Sequence, residues 1–258
     1  MPRFRTTTEV MEALRERNRL LGKGNKRIDE WVEEYLDSCV AEGKEVTLLT
    51  QWCVSKELEV RYQAQEGCFM PTKQEQVLFG TAMPWLANLL ESHGFRRTWW
   101  FTFNRNCLES GRINADLETE YKRLIIGLAE PLVRQGWLLV VDWEDDVLGG
   151  RAQPNKEVLA SVDTFVAPAA FQLEMDRHIG WEAEAGLIQG EFTRRQDVKH
   201  QIACEAEEGR ILKHEKPFGE FILVPVERSE RYNFFTILAP DFRRRIVAIL
   251  PTNPWRLG

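Results

Sequence analysis

Apolar residues concentrate in two nearly continuous runs, residues 98–104 (Thr-Trp-Trp-Phe-Thr-Phe-Asn) and 137–142 (Trp-Leu-Leu-Val-Val-Asp). Neither run alternates with polar positions, which is the pattern of strands covered on both faces of a parallel sheet. Between them, residues 116–135 carry apolar side chains at helical spacing, and a connection of that length suits a β-α-β crossover. Both runs stop abruptly in polar groups, Asn104 and Arg105 on the first and Asp142, Glu144, Asp145 and Asp146 on the second. Open α/β sheets bind ligands outside the carboxyl ends of their strands, so these tips are expected to border a site. The pattern predicts an α/β fold of Rossmann-like, three-layer type, with a mainly parallel sheet and helices on both faces.

The flanking sequence extends this reading. Residues 28–41 form a predicted helix with Trp31, Tyr35, Leu36 and Val40 on one face and Gly43 closing it. Residues 45–52 read as the first strand, followed by Ser55 at the start of a short helix. Thr72 and Glu75 have the spacing of a capping box, which starts a helix running to His93 with a kink expected at Pro84. Residues 155–186 and 197–213 read as mainly helical. Strands are expected at 220–227 and 232–238, joined by a hairpin loop at 228–231, then a final helix at 241–250 and a tail anchored by Trp255. The chain divides into a basic helical leader, residues 1–42, packed on a single domain of residues 43–258.

Composition narrows the function classes. With 43% hydrophobic and 29% charged residues the chain reads as globular. A net charge of −6 argues against general affinity for nucleic acid, although residues 1–27 hold eight Lys or Arg against three Glu. The five cysteines are scattered and unpaired in sequence, as expected of reduced thiols in a cytoplasmic protein. No apolar run reaches the roughly 18 residues of a membrane span, and no signal-peptide core opens the chain. Phosphate-binding glycine loops, zinc-protease motifs and a nucleophile elbow are missing, and four histidines give little support to a zinc site or a Ser-His-Asp triad. No cofactor or metal is expected.

Three constellations remain. The acidic tip at Asp142, Glu144, Asp145 and Asp146 concentrates like charge, which favours a cation. That cation is a divalent metal in a glycosyl- or nucleotidyltransferase, or a guanidinium or ammonium group of a substrate; the alternative is a solvated charge run. After the first strand, Thr50 and Ser55 are hydroxyl nucleophile candidates, against a capping role for Ser55. On the helix at 197–213, Val198, Ile202 and Ile211 set an apolar face that places Glu205 near it and Glu208 further into solvent. A carboxylate withdrawn from water can move protons near neutrality, whereas Glu207 and Glu208 suit surface ion pairs. A non-catalytic binding module using the same cleft is the reading from a different class.

The order of these parts resembles that of the cyclodipeptide synthases, whose fold is similar to the catalytic domain of class I aminoacyl-tRNA synthetases. The resemblance covers residues 43–250: a strand followed by a hydroxyl residue, alternating helices and strands, a late helix bearing Glu205, then Pro217 and the final strands. It implies aminoacyl transfer from charged tRNA to a serine, here Ser55 with Thr50 as the fallback, followed by joining of a second aminoacyl group and cyclisation. Glu205 then takes the place of the family's glutamate, which holds the amino group and moves protons. Gln201 stands one turn earlier where the family has tyrosine, and the family's glycine-serine signature after the first strand is absent. The acidic tip looks like the socket for a cationic side chain in the fungal branch that makes arginine-containing products. The implied substrate-binding residues are Asn104, Arg105, Asp142, Glu144, Asp145 and Gln201. Aminoacyl-tRNA is the implied partner, met by the basic leader, Arg194-Arg195 and Arg243-Arg244-Arg245. Amino acids arriving already activated require no ATP-binding loop.

Overall fold

Among the described residues four strands, β1 (Val46–Cys53), β2 (Arg97–Asn104), β3 (Leu139–Asp142) and β4 (Ile222–Leu223), form one sheet in the order β3-β2-β1-β4, every neighbouring pair parallel. The computed structural model describes residues 4–21, 28–53, 62, 65–104, 115–151, 153–184, 190–225 and 236–250. The helices are α1 (Arg5–Leu20), α2 (Glu30–Glu42), α3 (Lys73–Val77), α4 (Met83–Ser92), α5 (Ala115–Arg134), α6 (Lys156–Ala160), α7 (Val162–Phe165), α8 (Pro168–Glu184) and α9 (Glu191–His214). Helices cover both faces of the sheet, so the molecule is an α/β protein of the Rossmann-like, three-layer type. No described helix is long and apolar enough to cross a membrane.

The pleat assigns each residue to a face. Paired residues of neighbouring parallel strands point the same way, and the register pairs Thr50 with Phe101, Gln51 with Thr102, Cys53 with Asn104 and Phe103 with Asp142. One face therefore presents Leu48, Thr50, Trp52, Trp99, Phe101 and Phe103. These pack with Val10 and Met11 of α1, Leu36 of α2, Leu86 of α4 and Ile125 of α5. Trp99, Phe101 and Phe103 are at most 1% exposed, and each such side chain contributes about 1.5–3 kcal/mol by burial. The other face presents Leu49 and Trp100, covered by Trp143, by Ile211 and Leu212 of α9, and by Phe221 and Phe242. A third cluster, including Val162, Phe171, Met175, Val198 and Ile202, joins α7, α8 and α9.

Local chemistry explains the element ends. Gly43 closes α2 at φ 64°. Thr72 and Glu75 form the expected capping box, and the Tyr121 hydroxyl donates to Glu75 Oε1 at 2.7 Å, which ties α3 to α5. Between α3 and α4 the chain widens into a π-helical turn, Leu78–Ala82, in which the Met83 N–H reaches back to the Leu78 carbonyl. The wide turn makes room for Pro84, which has no N–H to give, so the helical path continues through the proline.

Three elements differ from expectation. β3 begins at Leu139, because Gly136 at φ 69° ends α5 and the Trp137 N–H is spent on the Leu132 carbonyl. Of the described part of the expected strand at 220–227, residues 220–225, only Ile222–Leu223 forms a strand of the sheet, parallel to β1; the rest of that strand, the expected hairpin loop and most of its second strand lie outside the described residues. The final helix is a short 3-10 turn, Pro240–Arg245, after which Ile246 runs parallel to Leu223 and the Val247 N–H bonds the Leu223 carbonyl at 2.9 Å. The β-branched Ile246, Val247 and Ile249 favour extended backbone there, and Val247 and Ile249 are buried by it.

Candidate functional site

At the carboxyl end of the sheet a polar patch interrupts the face that α9 covers. Gln51 of β1 and Thr102 and Asn104 of β2 share this face, and all three are buried, at 7%, 0% and 2% exposure. Helix α9 lays Glu208, 4% exposed, against them. Asn104 Nδ2 donates to Glu208 Oε1 at 2.9 Å, and Gln51 Nε2 donates to Glu208 Oε2 at 3.4 Å. The small buried residues Ala203, Ala206 and Gly209 keep this part of α9 low against its neighbours. Among the described residues, Asn104 Oδ1 and the Thr102 hydroxyl have no hydrogen-bond partner. An unsatisfied buried polar group costs about 1–3 kcal/mol, so a hydrogen-bonding group placed against these two atoms would be stabilised.

The same helix carries a second polar chain. His178 of α8, 1% exposed, faces Gln201 Oε1 through Nε2 at 2.9 Å, and Gln201 Nε2 donates to Glu205 Oε1 at 3.1 Å. Because Gln201 Oε1 only accepts, this geometry places the imidazole proton on Nε2. Gln201, Glu205 and Glu208 follow one another at four- and three-residue spacing, so they form a stripe along α9 about 10 Å long that ends at the sheet. Gln201 and Glu205 are half-buried.

The expected exposure order on α9 is reversed. Glu208 and Glu207 are buried and Glu205 is only partly so. The apolar residues of α9 mark only the part that meets other apolar side chains. The contact with the polar strand ends, which buries Glu208, leaves no hydrophobic trace. Glu207 is buried by the loop before α6, where it accepts from the Asn155 N–H, and Arg210 lies 3.3 Å from its other oxygen.

Asp142 does not join Asn104. It pairs with Phe103 and so belongs to the opposite face, where Lys122 of α5 donates to Asp142 Oδ2 while passing over the Phe103 ring. Asp142 Oδ1 accepts from the Asp145 N–H at 3.0 Å, and Asp146 accepts from the Asp142 N–H at 2.8 Å, closing the π-helical turn Trp143–Val147. Asp145 and Asp146 are exposed and Glu144 is half-buried. The acidic tip thus caps its own turn and meets a cation of the protein, and among the described residues no three acidic, His or Cys side chains group to hold a metal.

Thr50 lies on that opposite face as well, fully buried. Its hydroxyl donates to the Val224 carbonyl at 2.9 Å and accepts from Trp99 Nε1 at 3.0 Å, bonds that fasten β1 to its neighbours and hold the oxygen in the core. Ser55 and Arg105 lie outside the described residues.

Many of the cations expected to meet RNA phosphates are engaged within the fold. Arg15 pairs with Glu33 at 2.8 Å, Arg17 lies over the Trp85 ring, and Arg19 pairs with Glu16. Arg194 pairs with Glu182 at 2.7 Å and Arg195 covers Phe171. Arg244 pairs with Asp29, while Arg245 sits among Trp31, Phe221 and Phe242, where burial pushes its guanidinium below the ordinary value.

A parallel sheet with a buried polar patch at its carboxyl edge is the arrangement of α/β ligand-binding proteins and enzymes. No known protein-family model matches the sequence, and no curated protein matches it.

Proposed function

We propose that the protein transfers aminoacyl groups from charged tRNA to form a cyclic dipeptide through an acyl-enzyme on Ser55, with a cationic, arginine side chain in the product. The observation that carries this reading is the Glu208 carboxylate, buried at the carboxyl edge of the sheet beside an Asn104 carbonyl oxygen that accepts no hydrogen bond among the described residues. A substrate ammonium or guanidinium group offers N–H donors to both oxygens, and its positive charge matches the carboxylate. In this scheme Glu208 and Asn104 take the binding role first assigned to the acidic tip, since Asp142 faces the other side of the sheet. Glu205, held by the Gln201 amide, is the acid/base candidate. It accepts the proton of the attacking amine and returns one to the leaving oxygen.

The test is mass spectrometry of bacterial cultures expressing the unaltered protein beside Ser55→Ala, Glu205→Gln and Glu208→Gln. An arginine-containing cyclic dipeptide is expected from the unaltered protein alone, and its formation in lysate is expected to stop on RNase treatment. Glu208→Gln is expected to reduce the yield by more than about tenfold, the loss that follows from removing one charge-assisted hydrogen bond. Soluble, folded protein that yields no new product removes the proposal, and an unchanged yield from Ser55→Ala removes Ser55 from it.

A further inference from the structure

Beside Glu207, Arg210 and Ile211 of α9, a cavity of about 240 Å³ opens between that helix and Leu148, Arg151 and residues 153–156. Arg151, Lys156 and Arg210 line it. We propose that this cavity binds a phosphate monoester, a role independent of the chemistry assigned to the sheet edge.

Two carboxylates set the arginines in place. Glu215 accepts from Arg151 Nη1 at 3.3 Å and Nη2 at 2.8 Å, and Arg151 Nε donates to the Leu148 carbonyl at 3.0 Å. Glu207 accepts from Arg210 Nη2 at 3.3 Å and from the Asn155 N–H. A guanidinium carries five N–H donors, so both arginines keep donors in reserve after these bonds. The hydrogen bonds from Arg151 hold the Glu215 carboxyl below its ordinary range, which keeps that pair ionised.

Lys156 makes no hydrogen bond or ion pair among the described residues, and its ammonium is exposed. Three cations against two carboxylates leave one positive charge at the cavity. A phosphate monoester carries about −1.5 to −2 at neutral pH and offers three acceptor oxygens, which suits Lys156 and the remaining guanidinium donors. The buried side chains of Leu148 and Ile211 supply an apolar wall for the organic part of the ester.

The cavity is also preorganised. Gln153, 3% exposed, accepts from Trp143 Nε1 at 2.8 Å and donates to the Cys204 carbonyl at 2.8 Å, which anchors the middle of the 148–156 segment to α9. Held there, Gln153 loses little freedom when a ligand arrives, so the ordering cost falls mainly on the exposed Lys156 side chain.

Isothermal titration of the full chain with adenosine monophosphate, at constant ionic strength, tests the assignment. The expected result is saturable binding tighter than about 1 mM, weakened about tenfold by Lys156→Gln and again by Arg210→Gln. Lys156→Gln breaks no hydrogen bond or ion pair among the described residues, so its effect reads the cavity, and thermal melts check that both variants are folded. Adenosine binding as tightly as adenosine monophosphate, or equal affinity in the unaltered and Lys156→Gln proteins, overturns the proposal. A short oligoribonucleotide without terminal phosphates separates the two sources of phosphate. Binding confined to it, and lost in Lys156→Gln, assigns the cavity to a polynucleotide backbone and overturns the monoester assignment.

Discussion

Glu208 and Glu205 sit three residues apart on α9 in different environments, one buried against the strand ends and one half-buried beside Gln201. Glu208 accepts from two buried amides, so Glu208→Ala is expected to leave the Asn104 and Gln51 N–H groups without their acceptor at a cost of about 1–3 kcal/mol each, read by urea unfolding. Glu208→Gln keeps the shape and one of the two acceptor oxygens, so one amide donor loses its acceptor; it is expected to cost about half as much as Glu208→Ala while, under the proposed function, product formation falls. Equal destabilisation by both variants would argue that the carboxylate serves the fold. Tyr35 gives a second measurement at this scale. Burial pushes its hydroxyl up to about 12, and the hydroxyl accepts from the Thr47 N–H and donates to the Glu220 carbonyl, both at 3.0 Å. A tyrosine whose folded value is raised contributes stability that is complete below the unfolded value and is lost as pH rises through the folded one. Stability is therefore expected to decline between pH 10 and about 12, and less steeply in Tyr35→Phe, as followed by denaturant unfolding across that range.

Helix α1 illustrates how an element with a basic, polar composition becomes part of the core. Val10, Met11 and Leu14 are nearly inaccessible and belong to the same cluster as the sheet residues. Met11→Ala is expected to cost about 2–5 kcal/mol, whereas Arg19→Gln, which breaks an exposed pair with Glu16, is expected to change stability by less than about 1 kcal/mol. Chemical denaturation of the two variants separates a core helix from a loosely attached one. The 3-10 turn Pro240–Arg245 closes the opposite face through Phe242 and the Arg245 cage. There the guanidinium stacks on rings as a flat group, so Arg245→Lys is expected to recover little of the stability lost in Arg245→Ala.

For the molecule as a whole, the placement of charge decides what the proposed RNA partner can meet. With a net charge of −6, and with many of the described arginines engaged in pairs or ring contacts, the described residues offer few unengaged arginines for phosphate tracking. Binding of charged tRNA, measured by filter retention, is therefore expected to lose less than the roughly 10³-fold between about 50 and 200 mM salt that marks proteins with many phosphate contacts. The architecture was legible in the sequence for a physical reason. Strands buried on both faces must be apolar throughout, and the runs at 98–104 and 137–142 together with the helical spacing between them specify a parallel β-α-β unit. The capping box at Thr72 and the glycine stop at Gly43 are local chemistry, and the structure repeats them. Facing and depth depend on neighbours far along the chain. One step of register sends Asp142 to the face opposite Asn104, and a helix some hundred residues beyond the strand brings Glu208 to its end. Sequence alone determined the parallel β-α-β unit and the local caps. Only tertiary packing decided which carboxylate arrives at the strand ends, because a polar contact between distant segments leaves no periodic signal in either of them.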